Sequence, residues 1–383
     1  MQIVLAVERL PADGVPRAPS QRSELDRRSA GGERYSRRPA LKRHLNTLFV
    51  TTEGTYLAKD GECLAARVEG ATRLRVPITA LESVICIGRV SCSPQALEHG
   101  AMNGVAVTHL TETGRFMARL EGPVSGNVLV RRTQYRWADD PARSADLARA
   151  FITGKIANAR LVLRRGARDA AASEASDVLG RAADRLDHLL RRLPYETDLE
   201  TLRGNEGEAG RLYWAAFPFL RAGGDPQISF AGRSRRPPLD PMNALLSFLY
   251  TLLAHDIRAA LEAQGLDPQV GYLHRDRPGR PGLALDIMEE FRAVLADRLA
   301  LTLVNRGQLR AAGFRTLDGG GVTMDDTTRR SVITAWQERK RDERRHPFLG
   351  ESAPLGLFWH LQALLLKRYM RGDLDGYPPC LWR

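Results

Sequence analysis

Cysteine is scarce in this chain, with four residues in 383: Cys63, Cys86, Cys92 and Cys380. None forms a Cys-x-x-Cys pair, so the spacing suggests neither a zinc site nor an iron–sulfur cluster. Four scattered cysteines in a chain of this length fit a reducing compartment without a disulfide framework. Long apolar runs are missing too. The longest, Leu245 to Ala254, is too short to cross a bilayer, and Met1 to Ala6, followed by acidic Glu8, is too short for a signal-peptide core. These absences lead to the expectation of a cytoplasmic protein with no membrane partner. The chain has no Walker-type glycine loop, no nucleophile-elbow serine and no dinucleotide-binding glycine fingerprint. ATP-driven hydrolysis, serine acyl transfer and nicotinamide chemistry therefore lose support. No internal repeat is visible.

What the chain has in excess is positive charge. Lysine and arginine number 57 against 45 aspartates and glutamates, a formal net charge of +12. Such a balance favours a polyanionic partner, most simply nucleic acid, although many proteins carry it without binding any. The length calls for two domains.

Three regions follow in order. Residues 1–42 form a basic arm rich in Pro, Gly, Ser and Arg, read as disordered. Its arginines could touch a phosphate backbone, or the arm could be an incidental tail or a start placed too far upstream. Residues 43–131 alternate as short strands, with Asp60-Gly61 marking a tight hairpin and Pro94 to Gly100 one short helix. Residues 132–383 are mainly helical, starting near Asp140-Pro141, a helix-start signal. A hairpin is expected around Gly319 to Gly321. The fold class is α+β, a small N-terminal β domain before a larger α-helical catalytic domain.

The stretch GYLHRDRPGRPGLALDIMEEFR, Gly271 to Arg292, concentrates the chemistry. A strand-like piece delivers His274, a basic broken loop follows, and a helix then carries Asp286, Glu289 and Glu290. Asp286 and Glu289 are spaced i, i+3 and share a face. Carboxylates beside an imidazole suit Mg²⁺ or Mn²⁺; a solvated acidic face and an ordinary loop histidine would explain the stretch equally well. Glu206 and Glu208, flanked by Gly204 and Gly207, read as acids where a loop becomes a helix, a place that favours negative charge for structural reasons alone. Tyr213 lies two turns on from Glu206. Arg233, Arg235 and Arg236 precede a proline pair, with Asp240 or Asn243 able to cap the next helix. They are either a solvated face or phosphate-positioning groups. His255 reads as a satisfied helix histidine.

Side by side, the segments LNTLFVTTEGTYLAKDGE, GNVLVRRTQYRWADD, LRGNEGEAGRLYWAAF, GRSRRPPLDPMNALLSFLYTLLAHD, GLDPQVGYLHRDRPGRPGLALDIMEEFRAV and HPFL resemble the integrase-nuclease of the CRISPR adaptation module, in the form found in subtype I-C systems. The resemblance runs from about Lys42 to Arg383. It implies metal ligands at Glu206 (in a G-x-E-G element), His274 and Glu289, with Asp286 as a further candidate, and Mg²⁺ or Mn²⁺ as cofactor. Some relatives carry aspartate where this chain has Glu289. The implied activity is DNA cleavage, and insertion of new spacer DNA into a CRISPR array by attack of a 3′-hydroxyl on a repeat phosphodiester. The implied partners are double-stranded DNA, a second copy in a homodimer, a small ferredoxin-like adaptation protein and an iron–sulfur exonuclease. Arg233, Arg235, Arg236 and Arg275 would then position phosphates, and Tyr213 would contact DNA or pack. A non-catalytic DNA-binding scaffold of the same fold and an RNA-directed nuclease are the alternatives.

Overall fold

The computed structural model describes residues 47–81, 83–111, 116–123 and 128–382. The basic arm of residues 1–42 lies outside the described residues. The N-terminal region holds β1 (Thr47–Val50), β2 (Tyr56–Asp60), β3 (Cys63–Val68), β4 (Ala71–Pro77), β5 (Ser83–Ile87), β6 (Ser91–Cys92), α1 (Pro94–Met102), β7 (Ala106–Leu110) and β8 (Phe116–Leu120). They build two four-stranded sheets, ordered β1-β5-β7-β8 and β4-β3-β2-β6. In the first, β1, β5 and β7 run parallel. That explains why SVICI is buried throughout and apolar after Ser83: a parallel strand covered on both faces shows no alternation. Phe49, Ile85, Ile87 and Leu110 face the large helical core. Leu48, Val50, Val84, Cys86 and Val107 face the second sheet. The expected hairpin is present, with Asp60 opposite Cys63 and Gly61 at φ +60°, a conformation costly for any residue with a Cβ.

The helical region contains α2 (Val128–Asp139), α3 (Pro141–Asp169), α4 (Ser173–Arg192), α5 (Leu199–Ala216), α6 (Pro241–Ala263), α7 (Gly282–Phe291) and α8 (Arg298–Asn305). A hairpin of β9 (Phe314–Thr316) and β10 (Val322–Met324) follows, then α9 (Asp326–Arg341), a second hairpin of β11 (Glu343–Arg345) and β12 (Ser352–Pro354), and α10 (Phe358–Met370). Asp140 caps α3 by accepting from the Ala142 and Arg143 amides. Asp240, rather than Asn243, caps α6. By length and composition α6 could cross a membrane, but 72% of its apolar window is buried inside the protein, as for a core helix.

Three local features place the chemistry. Helix α3 packs against both α5 and α7. Between α7 and α8 the chain makes one π-helical turn, Arg292–Asp297, a local widening that re-aims side chains and is frequent at functional sites. The third corrects an expectation: Gly271 to His274 is a bend, not a strand. It is held by close approach of two glycines, since a Cβ on Gly271 would lie 2.7 Å from the carbonyl carbon of Gly282.

Candidate metal and DNA site

Glu206 projects from the body of α5, which begins at Leu199 behind the Asp198 cap. It therefore does not sit at a loop–helix junction, and the helix dipole offers no structural reason for its charge. Opposite it, on α7, Glu289 is buried to 2% exposure, while Glu206 remains 31% exposed at the side chain. Lys155 of α3 stands between them. Its ammonium pairs with Glu206 Oε1 and lies 2.9 Å from Glu289 Oε2. Glu289 Oε2 receives no well-directed hydrogen bond, so that contact is mainly charge. Glu289 Oε1 accepts from Arg292 Nη1 at 2.6 Å. Burial disfavours the Glu289 carboxylate, but Arg292, Lys155 and His274 outweigh it and hold the group well below the usual carboxylate range.

His274 is near enough to Glu289 to act on its carboxyl. Its Nδ1 lies 2.6 Å from Asp286 Oδ1. Both oxygens of fully buried Asp286 also accept backbone amides, from Tyr272 at 2.6 Å, Leu273 at 3.1 Å and His274 at 3.0 Å. A carboxylate with this many donors only accepts, so Nδ1 is the donating nitrogen and Nε2 is the ring nitrogen not taken up by Asp286. Asp286 thus orients the imidazole, with its own oxygens already committed. The His274 bend is tied to α5: Arg203 donates to the Leu273 carbonyl at 2.8 Å, and Arg275 pairs with Glu200 at 2.6 Å.

Glu206, Glu289 and the free Nε2 of His274 form the oxygen-and-imidazole donor set that a hard divalent cation takes. The cation-holding character of the acidic pair is visible in the ammonium lodged between them. Even so, these three residues do not bring their ligand atoms within 4.8 Å of one another. Among the described residues only Cys86, Cys92 and His109 meet that spacing.

Behind the acids lies a buried network. Arg292 sits 4.5 Å from the centroid of the Tyr250 ring, and Tyr250 and Tyr213 both donate to Asp297. Burial raises Asp297 to about 6 in spite of those donors and Arg292. Of the two roles open to Tyr213, contact with DNA or packing, its surroundings fit packing. It is 5% exposed and its hydroxyl is spent on Asp297 at 2.9 Å. Glu290, next to Glu289, points the other way and accepts from Tyr377, Gln362 and the Cys380 amide.

The arginine cluster divides. Arg233 spans Asn243 Oδ1 at 2.7 Å and Ser247 Oγ at 3.3 Å, and lies over the Trp214 and Tyr250 rings. That argues against its placement among the phosphate-binding residues, because its Nη1 and Nη2 donors are used inside the protein. Arg235 and Arg236 are exposed. Arg280 of the neighbouring loop is held below the ordinary guanidinium value by burial and by the charges of Arg277, Arg235 and Arg236. The two loops therefore pool their charge. Arg275 is exposed too, though partly engaged by Glu200.

The sequence does not mark Lys155 or Arg292, and it shows Arg277 and Arg280 only as part of a basic loop. Lys155 is one charged residue within an apolar helix stripe, with nothing local to mark it. Arg277 and Arg280 stand in the stretch RDRPGRPG, where repeated arginines were signal enough.

A family profile described as "CRISPR associated protein Cas1" matches residues 48–338. The chain is 53% identical to "CRISPR-associated endonuclease Cas1 1" of Chlorobaculum tepidum, over 90% of this chain and 100% of that one. It is 54% identical to "CRISPR-associated endonuclease Cas1 2" of Rhodospirillum rubrum, with the same coverage. A "CRISPR-associated exonuclease Cas4/endonuclease Cas1 fusion" of Geobacter sulfurreducens is 35% identical over 86% of this chain and 59% of the fusion. Among solved structures, "Casposase bound to integration product" superposes with a TM-score of 0.75 at 19% identity, covering 88% of this chain and 94% of that one. A "Cas6-RT-Cas1--Cas2 complex" superposes with a TM-score of 0.76 at 23% identity, covering 90% of this chain and 37% of that one. The structural likenesses show the fold; the profile and the identities go further, and by them this chain belongs to the family of CRISPR-associated Cas1 endonucleases.

Proposed function

We propose that the chain is a metal-dependent DNA integrase and endonuclease of spacer acquisition, with Glu206, His274 and Glu289 holding the cation. The supporting observation is the pair of carboxylates gathered around one positive charge beside an imidazole whose Nδ1 is fixed by Asp286. Bound Mg²⁺ or Mn²⁺ would neutralise a non-bridging phosphate oxygen and the charge that develops during phosphoryl transfer. Arg292 holds Glu289 ionised and in place. Asp286 fixes the His274 ring through Nδ1, which leaves Nε2 as the nitrogen that would meet the metal. Lys155 neutralises the acids when no metal is there. Arg235, Arg236, Arg277 and Arg280, with Arg275 at the edge, line up the DNA backbone. The nucleophile is the 3′-hydroxyl of incoming DNA in integration, or water in cleavage, so no side chain is asked to attack.

The subtype I-C assignment, a homodimer and a small ferredoxin-like partner belong to the same proposal. The fold match to the Cas6-RT-Cas1--Cas2 complex supports the partner. The fusion with an exonuclease in a relative supports a trimming partner, taken here as an iron–sulfur enzyme. The test is integration of labelled double-stranded DNA into a repeat-bearing plasmid, with the partner proteins present, with and without chelator. Glu206→Gln, His274→Ala and Glu289→Gln should each abolish product while retaining DNA binding. The wide spacing of the three ligands favours one rival, a DNA-binding scaffold without catalysis. Full DNA binding with no metal-dependent product from the unaltered chain would establish that rival.

A further inference from the structure

A second cluster lies in the β domain, away from the acidic cleft. Cys86 on β5 and His109 on β7 are direct partners in the parallel register, so their side chains leave the sheet on the same face. That face looks onto the second sheet, where β6 presents Cys92. The chain reaches β6 by a turn through Gly88, at φ +80°. The three ligand atoms lie within 4.8 Å of one another, and Cys92 Sγ is 3.8 Å from His109 Nε2. In a tetrahedral zinc site, bond lengths of about 2.3 Å to sulfur and about 2.05 Å to nitrogen put adjacent ligand atoms about 3.6 to 3.8 Å apart. The observed sulfur–nitrogen distance of 3.8 Å is about 0.2 Å longer than the edge of about 3.6 Å expected for that pair, so a small side-chain shift closes it. Cys86 is buried, whereas Cys92 and His109 are partly exposed, so a cation has a way in.

We propose that Cys86, Cys92 and His109 bind one zinc ion, which clasps the two sheets of the β domain together. Two sulfurs and an imidazole are a soft set, unlike the oxygen-rich set of the cleft, so the two sites should select different metals. Binding releases the two thiol protons to solvent, leaving both sulfurs as thiolates. Three protein ligands leave the fourth position to water.

The test uses the full chain purified without affinity-tag histidines or chelators. Elemental analysis should find about one zinc per chain. Cys92→Ser and His109→Ala should each lower it at least tenfold, while Glu206→Gln and His274→Ala leave it unchanged. Cobalt(II) added to the zinc-stripped chain should give a thiolate charge-transfer band in the near ultraviolet. The unaltered chain supplies a readout independent of how the variants fold: chelation should raise the rate at which Cys92 reacts with a thiol reagent by at least tenfold. Zinc below a tenth per chain with no cobalt–thiolate band would overturn the proposal, as would a Cys92 whose reactivity ignores chelator.

Discussion

Lys155 Nζ lies 2.9 Å from Glu289 Oε2, inside a helix contact that leaves Glu289 2% exposed. The same ammonium holds Glu206. On the proposed metal site, a divalent cation would have to compete with this lysine for one pair of carboxylates. Removing the lysine leaves a buried carboxylate supported by Arg292 and, more weakly, by His274, which should cost about 1 to 3 kcal/mol, below the loss for a buried charge stripped of every partner. Lys155→Ala should unfold at lower urea than the unaltered chain when metal is absent, and Mn²⁺ should restore it. The stabilisation by Mn²⁺ should be larger in the variant than in the unaltered chain. Equal responses would show that the ammonium and the metal do not share a site.

Asp286 should matter through His274. Its carboxylate accepts Nδ1 and three backbone amides. Asp286→Asn replaces one acceptor oxygen with a donor facing donors, so the ring loses its fixed orientation. Losses of about 10- to 100-fold in metal affinity are typical when such a supporting carboxylate is altered. Calorimetric titration of Mn²⁺ should show a drop of that size in Asp286→Asn, with His274→Ala losing at least as much. An unchanged affinity in Asp286→Asn would mean that the bend holds the ring without the carboxylate.

The sequence revealed the two-part architecture, the Asp140 cap and the hairpins at Gly61 and Gly319 to Gly321, because each rests on neighbours along the chain. It also marked Glu206, His274, Asp286 and Glu289 as a set by family pattern. It did not reveal that Asp286 serves the histidine, since i, i+3 spacing shares a face without saying what that face meets. Tyr213 and Arg233 looked available for DNA. Their partners, Asp297 and Asn243, are set by how α5 and the Arg233 loop pack against their neighbours, which no local pattern encodes. The cluster of Cys86, Cys92 and His109 is hidden from the sequence for the same reason: the three meet through strand register and sheet stacking, so a search for paired spacing passes over them.

Glu290 should make stability fall as pH rises. Burial raises its carboxyl to about 8, despite hydrogen bonds from Tyr377, the Cys380 amide and Gln362. An unfolded glutamate titrates near 4.3, so the folded chain holds a proton that the unfolded chain has lost. The linked stability is complete below the unfolded value and lost as pH rises through about 8. The slope between is up to about 1.4 kcal/mol per pH unit. Glu290→Gln should flatten that decline in urea unfolding between pH 5 and pH 8. A variant with the slope of the unaltered chain would place the proton elsewhere.

Gly154 sits where α3 meets α7. A Cβ there would lie 2.9 Å from Glu290 Cγ and 3.3 Å from Pro379 Cβ. Glu290 is fixed by its three donors and cannot step back cheaply. Alanine is worth about 1 kcal/mol over glycine in a helix interior, but overpacking costs about 1 to 3 kcal/mol, so the clash should win. Gly154→Ala is expected to lower the urea midpoint and to reduce cleavage, because the contact that it spreads also sets Lys155 beside Glu289. A more stable, fully active variant would show that the helices part without consequence.

The arginines offer a test that separates DNA contact from structure. Arg235, Arg236, Arg277 and Arg280 share one patch, whereas Arg233 is bonded to Asn243 and Ser247 and lies over two aromatic rings. Each phosphate contact contributes about 0.9 to the slope of log affinity against log salt. Arg235→Ala combined with Arg236→Ala should lower that slope by up to about 2 and leave the urea midpoint unmoved. Arg277→Ala should lower the slope by up to about 1. Arg233→Ala should do the reverse: it removes charge-assisted hydrogen bonds and ring contacts, worth about 1 to 3 kcal/mol together, and its effect should show in the urea midpoint before the salt slope. Fluorescence anisotropy over a salt series, with urea unfolding of the same preparations, reads both quantities. If Arg233→Ala alone changed the salt slope, its guanidinium would have to leave Asn243 to meet the backbone, and the patch would be built around a residue that this structure turns inward.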